Sequence, residues 1–208
     1  FSNSVSYLAA AFTGPSGSFG EEKKGLTTDE KKALLSMARR TLAEFLLNGK
    51  DPRTEAFSGT LTPGMKEVRG AFVTLHQNRE LRGCIGEIFP GRPLYQAVRE
   101  HAVNAGVHDP RFEPVRSEDL DSLELEISAL TPPHPVKSLK EIILGKHGIV
   151  LRKGGFSAVF LPQVAPEQGW DLETTLNALS RKAGLTEEAW KEGADFLVFE
   201  AEVFTESL

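Results

Sequence analysis

The sequence holds 208 residues, 40% of them hydrophobic and 25% charged, an ordinary globular composition with enough length to bury one sizeable core. A formal net charge of −5 and a pI near 5.6 give no electrostatic footing for nucleic acid or an anionic membrane as a partner. A single cysteine excludes an internal disulfide, and no apolar run approaches the roughly 20 residues that span a bilayer or has the layout of a signal peptide, so a cytoplasmic protein is expected.

The chain begins with the apolar stretch FSNSVSYLAAAF, and TGPSGSFGEEKKG follows it with the Gly, Ser and charge content of a linker. Composition thus divides the chain into residues 1–14, a linker over 15–26 and a domain over 27–205. From Thr27 the sequence predicts a helix: Thr27 and Glu30 form a capping box, Leu34, Ala38, Leu42, Phe45 and Leu46 share a face, and Asn48-Gly49 stops it. GAFVTLHQNRELRGCIG predicts two strands joined by a turn over Gln77 to Arg79.

PLYQAVREHAVNAGVHDPRF places Pro93 at a helix start, with an apolar stripe through Leu94, Ala97, Val98, Ala102 and Ala105 and an end before Asp109-Pro110. LELEISAL alternates as a half-buried strand, with Glu124, Glu126 and Ser128 opposite Leu123, Leu125, Ile127 and Ala129. HGIVLRKGGFSAVFLP predicts a hairpin around Lys153-Gly154-Gly155, and WDLETTLNALSRKAGL a helix capped by Asp171 and closed by Gly184. A short helix around Trp190 and a last strand, DFLVFEAEVF, complete an α+β pattern: an antiparallel sheet with flanking helices and no regular βα alternation.

Chemistry concentrates in ELRGCIGEIFP. Strand alternation predicts Arg82, Cys84 and Gly86 on one face and Leu81, Gly83 and Ile85 on the other. A guanidinium beside a thiol favours the thiolate, and Gly83 and Gly86 admit close approach, which suits a nucleophilic or redox-active Cys84. The alternative, favoured by spacing alone, makes the glycines a bulge or bend and Cys84 a small apolar filler. In DPRFEP, Arg111 offers a second forked donor that could converge with Arg82 on an anionic ligand, or else anchor its own loop through Asp109.

The five histidines, His76, His101, His108, His134 and His147, lack the pairing of structural zinc sites, and no metal is expected; His101 continues an apolar helix stripe as a core histidine does. Glu124 and Glu126 read as a solvated strand face. GKHG lacks the length and the Ser/Thr of a phosphate-binding loop.

FVTL (72–75), LRGCIG (81–86), DPRF (109–112), HG (147–148), LPQVA (161–165), GWD (169–171) and KAGL (182–185) occur in the order found in the AMMECR domain family, which the chain resembles from about Thr27 to Phe204. The resemblance implies an α+β domain of two unequal subdomains, with LRGCIG as the family's usual functional candidate and no settled reaction. It places Cys84 as the candidate catalytic thiol and Arg82, Gly83, Gly86, Asp109, Arg111 and His147 as substrate-binding candidates. Gly106-Val107-His108 departs from the family's Ala-rich helix end and bears on how the chain enters the Asp109 loop.

The stretch SVSYLAAAF resembles the end of the Memo family, related in fold to non-haem iron extradiol dioxygenases, so residues 1–14 are expected to be the remnant of a fused Memo domain. The resemblance implies a system with a Memo partner and a radical S-adenosylmethionine protein, to which the chain contributes catalysis or an accessory role. The rival is a non-catalytic scaffold, and whether the chain is an enzyme stays open. Iron–sulfur chemistry belongs to the partner, because one cysteine cannot hold a cluster; no cofactor is expected in this domain alone.

Overall fold

Thr27 opens the first helix as predicted: its hydroxyl accepts from the Glu30 amide, and the Glu30 carboxylate accepts in return from the Thr27 amide. The computed structural model describes residues 25–50, 57, 59 and 61–206; the segment 1–14, expected to be a Memo remnant, and all but the end of the linker lie outside them. The chain divides into two units, one of residues 25–132 and 202–206, the other of residues 133–201.

In the first unit, α1 (Thr28–Asn48) ends on Gly49, whose left-handed backbone (φ 66°) lets its N–H return to the Phe45 carbonyl. A single helical turn, α2 (Pro63–Lys66), follows. Next come β1 (Ala71–Gln77), β2 (Glu80–Glu87) and α3 (Leu94–Val107), with Pro93 as the cap before α3. A 3-10 stretch, Ser117–Ser122, leads into β3 (Leu123–Leu130).

The antiparallel β1–β2 and β1–β3 pairs belong to a sheet ordered β2-β1-β3-β8, where β8 is Ala201–Thr205. One face of this sheet carries Ala71, Val73, Leu75, Leu125, Ile127 and Ala129, which join Leu34, Ala38 and Leu42 of α1 and Ala97, Val98, Ala102 and Ala105 of α3 in one core. Gly106, the departure from the family pattern, fits this packing. A Cβ there would stand 2.7 Å from Leu42 Cδ1, and its carbonyl accepts from the Val115 amide at 2.8 Å.

The second unit has its own sheet, ordered β4-β7-β5-β6: β4 (His134–Pro135), β5 (Gly148–Lys153), β6 (Phe156–Phe160) and β7 (Asp195–Phe199). The hairpin turn over Gly154-Gly155 has positive φ at both residues, as a tight connection of right-twisted strands requires. Helix α4 (Val164–Gln168) precedes α5 (Leu172–Lys182), which Asp171 caps and after which Gly184 turns left-handed. Leu176 and Leu179 of α5 pack on Ile149, Leu151, Phe196 and Val198 in a separate core.

The α+β reading holds, with two antiparallel sheets rather than one. The predicted last strand is two strands, because the backbone breaks at Glu200 and β7 and β8 join different sheets. The predicted helix around Trp190 is a 3-10 turn, Glu187–Lys191.

Candidate functional site

β2 is the edge of the first sheet, and its register contains a bulge: Gly83 pairs with Leu75 and Leu81 with His76, so Arg82 has no cross-strand mate. The alternation predicted between Arg82 and Cys84 is therefore interrupted. The Arg82 guanidinium donates to the carbonyls of Glu113 (2.5 Å) and Pro114 (3.3 Å), tying down the chain that leaves α3.

The backbone of Cys84 points away from β1. Its N–H donates to Asp109 Oδ2 (2.9 Å), and its carbonyl accepts from Arg111 Nη2 (2.9 Å). Asp109, with a side chain only 2% exposed, also accepts from the Arg111 amide (3.1 Å), Nε (2.9 Å) and Nη2 (2.6 Å). The DPRF loop thus caps the outer edge of β2, satisfying groups that an open edge strand presents to other chains. Gly83 makes room for this arrangement, since a Cβ there would stand 2.0 Å from the Ala105 carbonyl of α3.

Cys84, Thr74 and Glu126 form a row across β2, β1 and β3, on the face away from the helices. The neighbouring row is Gly86, Phe72 and Ser128; a Cβ at Gly86 would lie 2.3 Å from the Phe72 ring. Thr74 donates its hydroxyl to Cys84 Sγ at 3.2 Å. Burial pushes the Cys84 thiol up, outweighing the Thr74 hydrogen bond and the Arg111 charge, with Asp109 and Glu126 acting in the same direction as burial. The thiol is held protonated. Burial likewise raises the Glu126 carboxyl, with Glu124 adding to it and His76 opposing it.

His147 lies in the other unit, before β5, where Nδ1 accepts from the Ile143 amide at 3.2 Å; burial is the chief influence lowering its pKa. His101 is buried on α3, 3.8 Å from Glu87, and burial together with Arg92 lowers its pKa to about 4. Among the described residues no group of three or more His, Cys, Asp or Glu side chains is placed to hold a metal, and no helix is long and apolar enough to cross a membrane.

Sequence reasoning passed over Thr74 and Ser128 and assigned Glu126 to solvent. The available clue was shared alternation: FVTL puts Thr74 out of phase with the core residues Val73 and Leu75, as LELEISAL does Glu126 and Ser128.

The AMMECR1 family model matches residues 35–204, a span containing every site residue named above. The chain belongs to the AMMECR1 family. A protein of Methanosarcina mazei is 39% identical over 186 residues, covering 87% of this chain and 94% of its own length. Another, of Methanocaldococcus jannaschii, is 40% identical over 190 residues, covering 87% and 92%. The crystal structure of an uncharacterised protein from Pyrococcus horikoshii superposes with a TM-score of 0.74 at 38% identity, covering 83% of this chain and 89% of that one. The AMMECR1 match thus includes the edge of the first sheet, where LRGCIG and DPRF interlock.

Proposed function

We propose that this AMMECR1-family chain is a binding component, not a thiol nucleophile. It holds a small organic molecule near LRGCIG, beside Cys84 and Glu126, within a system that includes a Memo protein and a radical S-adenosylmethionine protein. The observation that carries the reading is the half-buried Cys84 thiol, its Sγ accepting from Thr74 and its pKa pushed up by burial, in one row with the half-buried Glu126 carboxyl. A nucleophilic cysteine sits where its thiolate is favoured, and here burial outweighs the neighbouring Arg111. The partners come from the family resemblance, and redox chemistry falls to them.

Two experiments test this. Iodoacetamide modification of Cys84 is expected to be slow at neutral pH, with an inflection above the ordinary cysteine range. Fast neutral modification would restore the nucleophile. Co-expression of the tagged chain with both partners should retain them together with a small organic molecule detectable by mass spectrometry, which Glu126→Gln loses.

A scaffold is the second reading, favoured by one observation: Arg82, Asp109 and Arg111 all make bonds within the protein. Recovery of both partners with no small molecule in either variant would select it.

A further inference from the structure

Exposed sheet edges are templates for pairing with another chain, and proteins blunt them with caps, lysines, proline or short strands. Three of the four edges among the described residues are blunted. Asp109 and Arg111 cap β2 at Cys84, the Lys182 ammonium donates to the Val159 carbonyl of β6 at 3.0 Å, and β4 is two residues long and ends in Pro135. The fourth edge, β8, carries none of these devices.

The Glu206 amide donates to the Leu125 carbonyl of β3 at 3.2 Å. Backbone direction alternates along a strand, so Glu202 and Phe204 also turn toward β3, while the N–H and C=O groups of Ala201, Val203 and Thr205 point away from it. No described residue pairs with them. Val203, at the centre, is 50% exposed. Nor does a free carboxylate guard this edge: Glu202 accepts from the Leu26 amide and Arg69 and pairs with Lys31, and Glu206 is bonded to Arg39 and the Leu125 amide.

We propose that β8 pairs antiparallel with β8 of a second copy of this chain, about a two-fold axis at Val203. The strand is self-complementary in that register. Val203 faces its own counterpart and Ala201 faces Thr205, so every outward N–H meets an outward C=O and the exposed Val203 side chains lie side by side. Each Glu202 comes opposite a Phe204, so no like charges face one another. A foreign strand would need the same freedom from proline and unpaired charge, which a second copy has by identity. One strand pair is much smaller than the roughly 1,200 Å² of a stable interface, so the dimer forms only in concentrated solution.

The test is sedimentation velocity of the full chain over a range of concentrations, with amide exchange followed at both ends of that range. Association should grow with concentration, and the Val203 and Thr205 amides should exchange fast in dilute solution and slowly in concentrated solution. The Phe204 amide, which faces β3, should be protected in both. Val203→Pro removes an N–H that β3 does not use, so the fold should survive while dimerisation weakens at least about tenfold. If that variant does not fold, Val203→Lys, which sets two ammonium groups side by side at the axis, carries the test with the same expected loss. A chain that stays monomeric at every concentration would overturn the proposal, and protection of Val203 and Thr205 in that monomer would show that part of the chain itself covers β8. Dimerisation unchanged in the folded variant would overturn it too, by assigning the contact to another surface.

Discussion

Burial acts to raise the Asp109 carboxyl, but hydrogen bonds from the Arg111 side chain, the Cys84 amide and the Arg111 amide hold it below the usual aspartate range. A depressed carboxyl contributes stability that is fully present above its unfolded pKa and is lost as pH falls through the folded one. Asp109→Asn places an amide donor among groups that need acceptors, so it should cost about 2–3 kcal/mol at neutral pH and less in acid, measured by urea unfolding. Glu126 has the opposite sign. Its raised pKa means the native state binds its proton more tightly, so stability falls as pH rises from the ordinary glutamate range through the folded value. Glu126→Gln should therefore raise the melting temperature at neutral pH, and the gain should vanish in acid, even as the variant loses its ligand. A melting temperature that drops at neutral pH would show that the carboxylate serves the fold. Cys84 was visible in the sequence as a special residue, but its setting was not. Its two backbone partners stand 25 and 27 positions away, and nothing local announces that a loop will cap its strand edge.

At the scale of elements, local rules carried furthest where the determinant is local. The Thr27 capping box, the Gly49 stop and the Asp171 cap each depend on side chains within a few residues of the backbone they satisfy. The β1–β2 turn was legible too, and it falls at Asn78 and Arg79 within the expected stretch; both have positive φ (53° and 67°), and only the first is of a type that tolerates it. Arg79→Gly should then stabilise the protein by about 1 kcal/mol, read as a shift in the urea midpoint. The bulge was foreseen as a bulge or bend at the flanking glycines, but its place at Arg82, and the break at Glu200, escaped notice because each depends on which strand lies alongside, a fact outside any short window. Gly83 shows how strictly that neighbour constrains the chain. Gly83→Ala would drive a methyl into the Ala105 carbonyl, with backbone on both sides of the clash, and should destabilise by at least about 3 kcal/mol; unfolding unchanged within about 0.5 kcal/mol would show that α3 can retreat from β2.

For the molecule as a whole, hydropathy patterning identified buried faces but could not sort them between two cores. Leu125 and Leu151 are both leucines of β-rich runs, and only the sheet each joins assigns one to the α1–α3 core and the other to the α5 core. The chain passes between units at residues 132–133 and again at 201–202, so the C-terminal strand β8 completes the sheet begun by β1 to β3. Arg69, almost fully buried, secures that return by donating to the carbonyls of Ala129 and Leu130 and to Glu202. Separate cores imply separately placed losses when one is damaged. Leu176 is fully buried in the α5 core, and Leu176→Ala removes its side chain at a cost of about 2–5 kcal/mol. Amide exchange should accordingly quicken in β5, β7 and α5 while β1 and β3 keep most of their protection. Equal acceleration throughout both sheets would mean instead that the two cores open as one cooperative body, and that the ligand face on β1 to β3 depends for its order on a helix in the other unit.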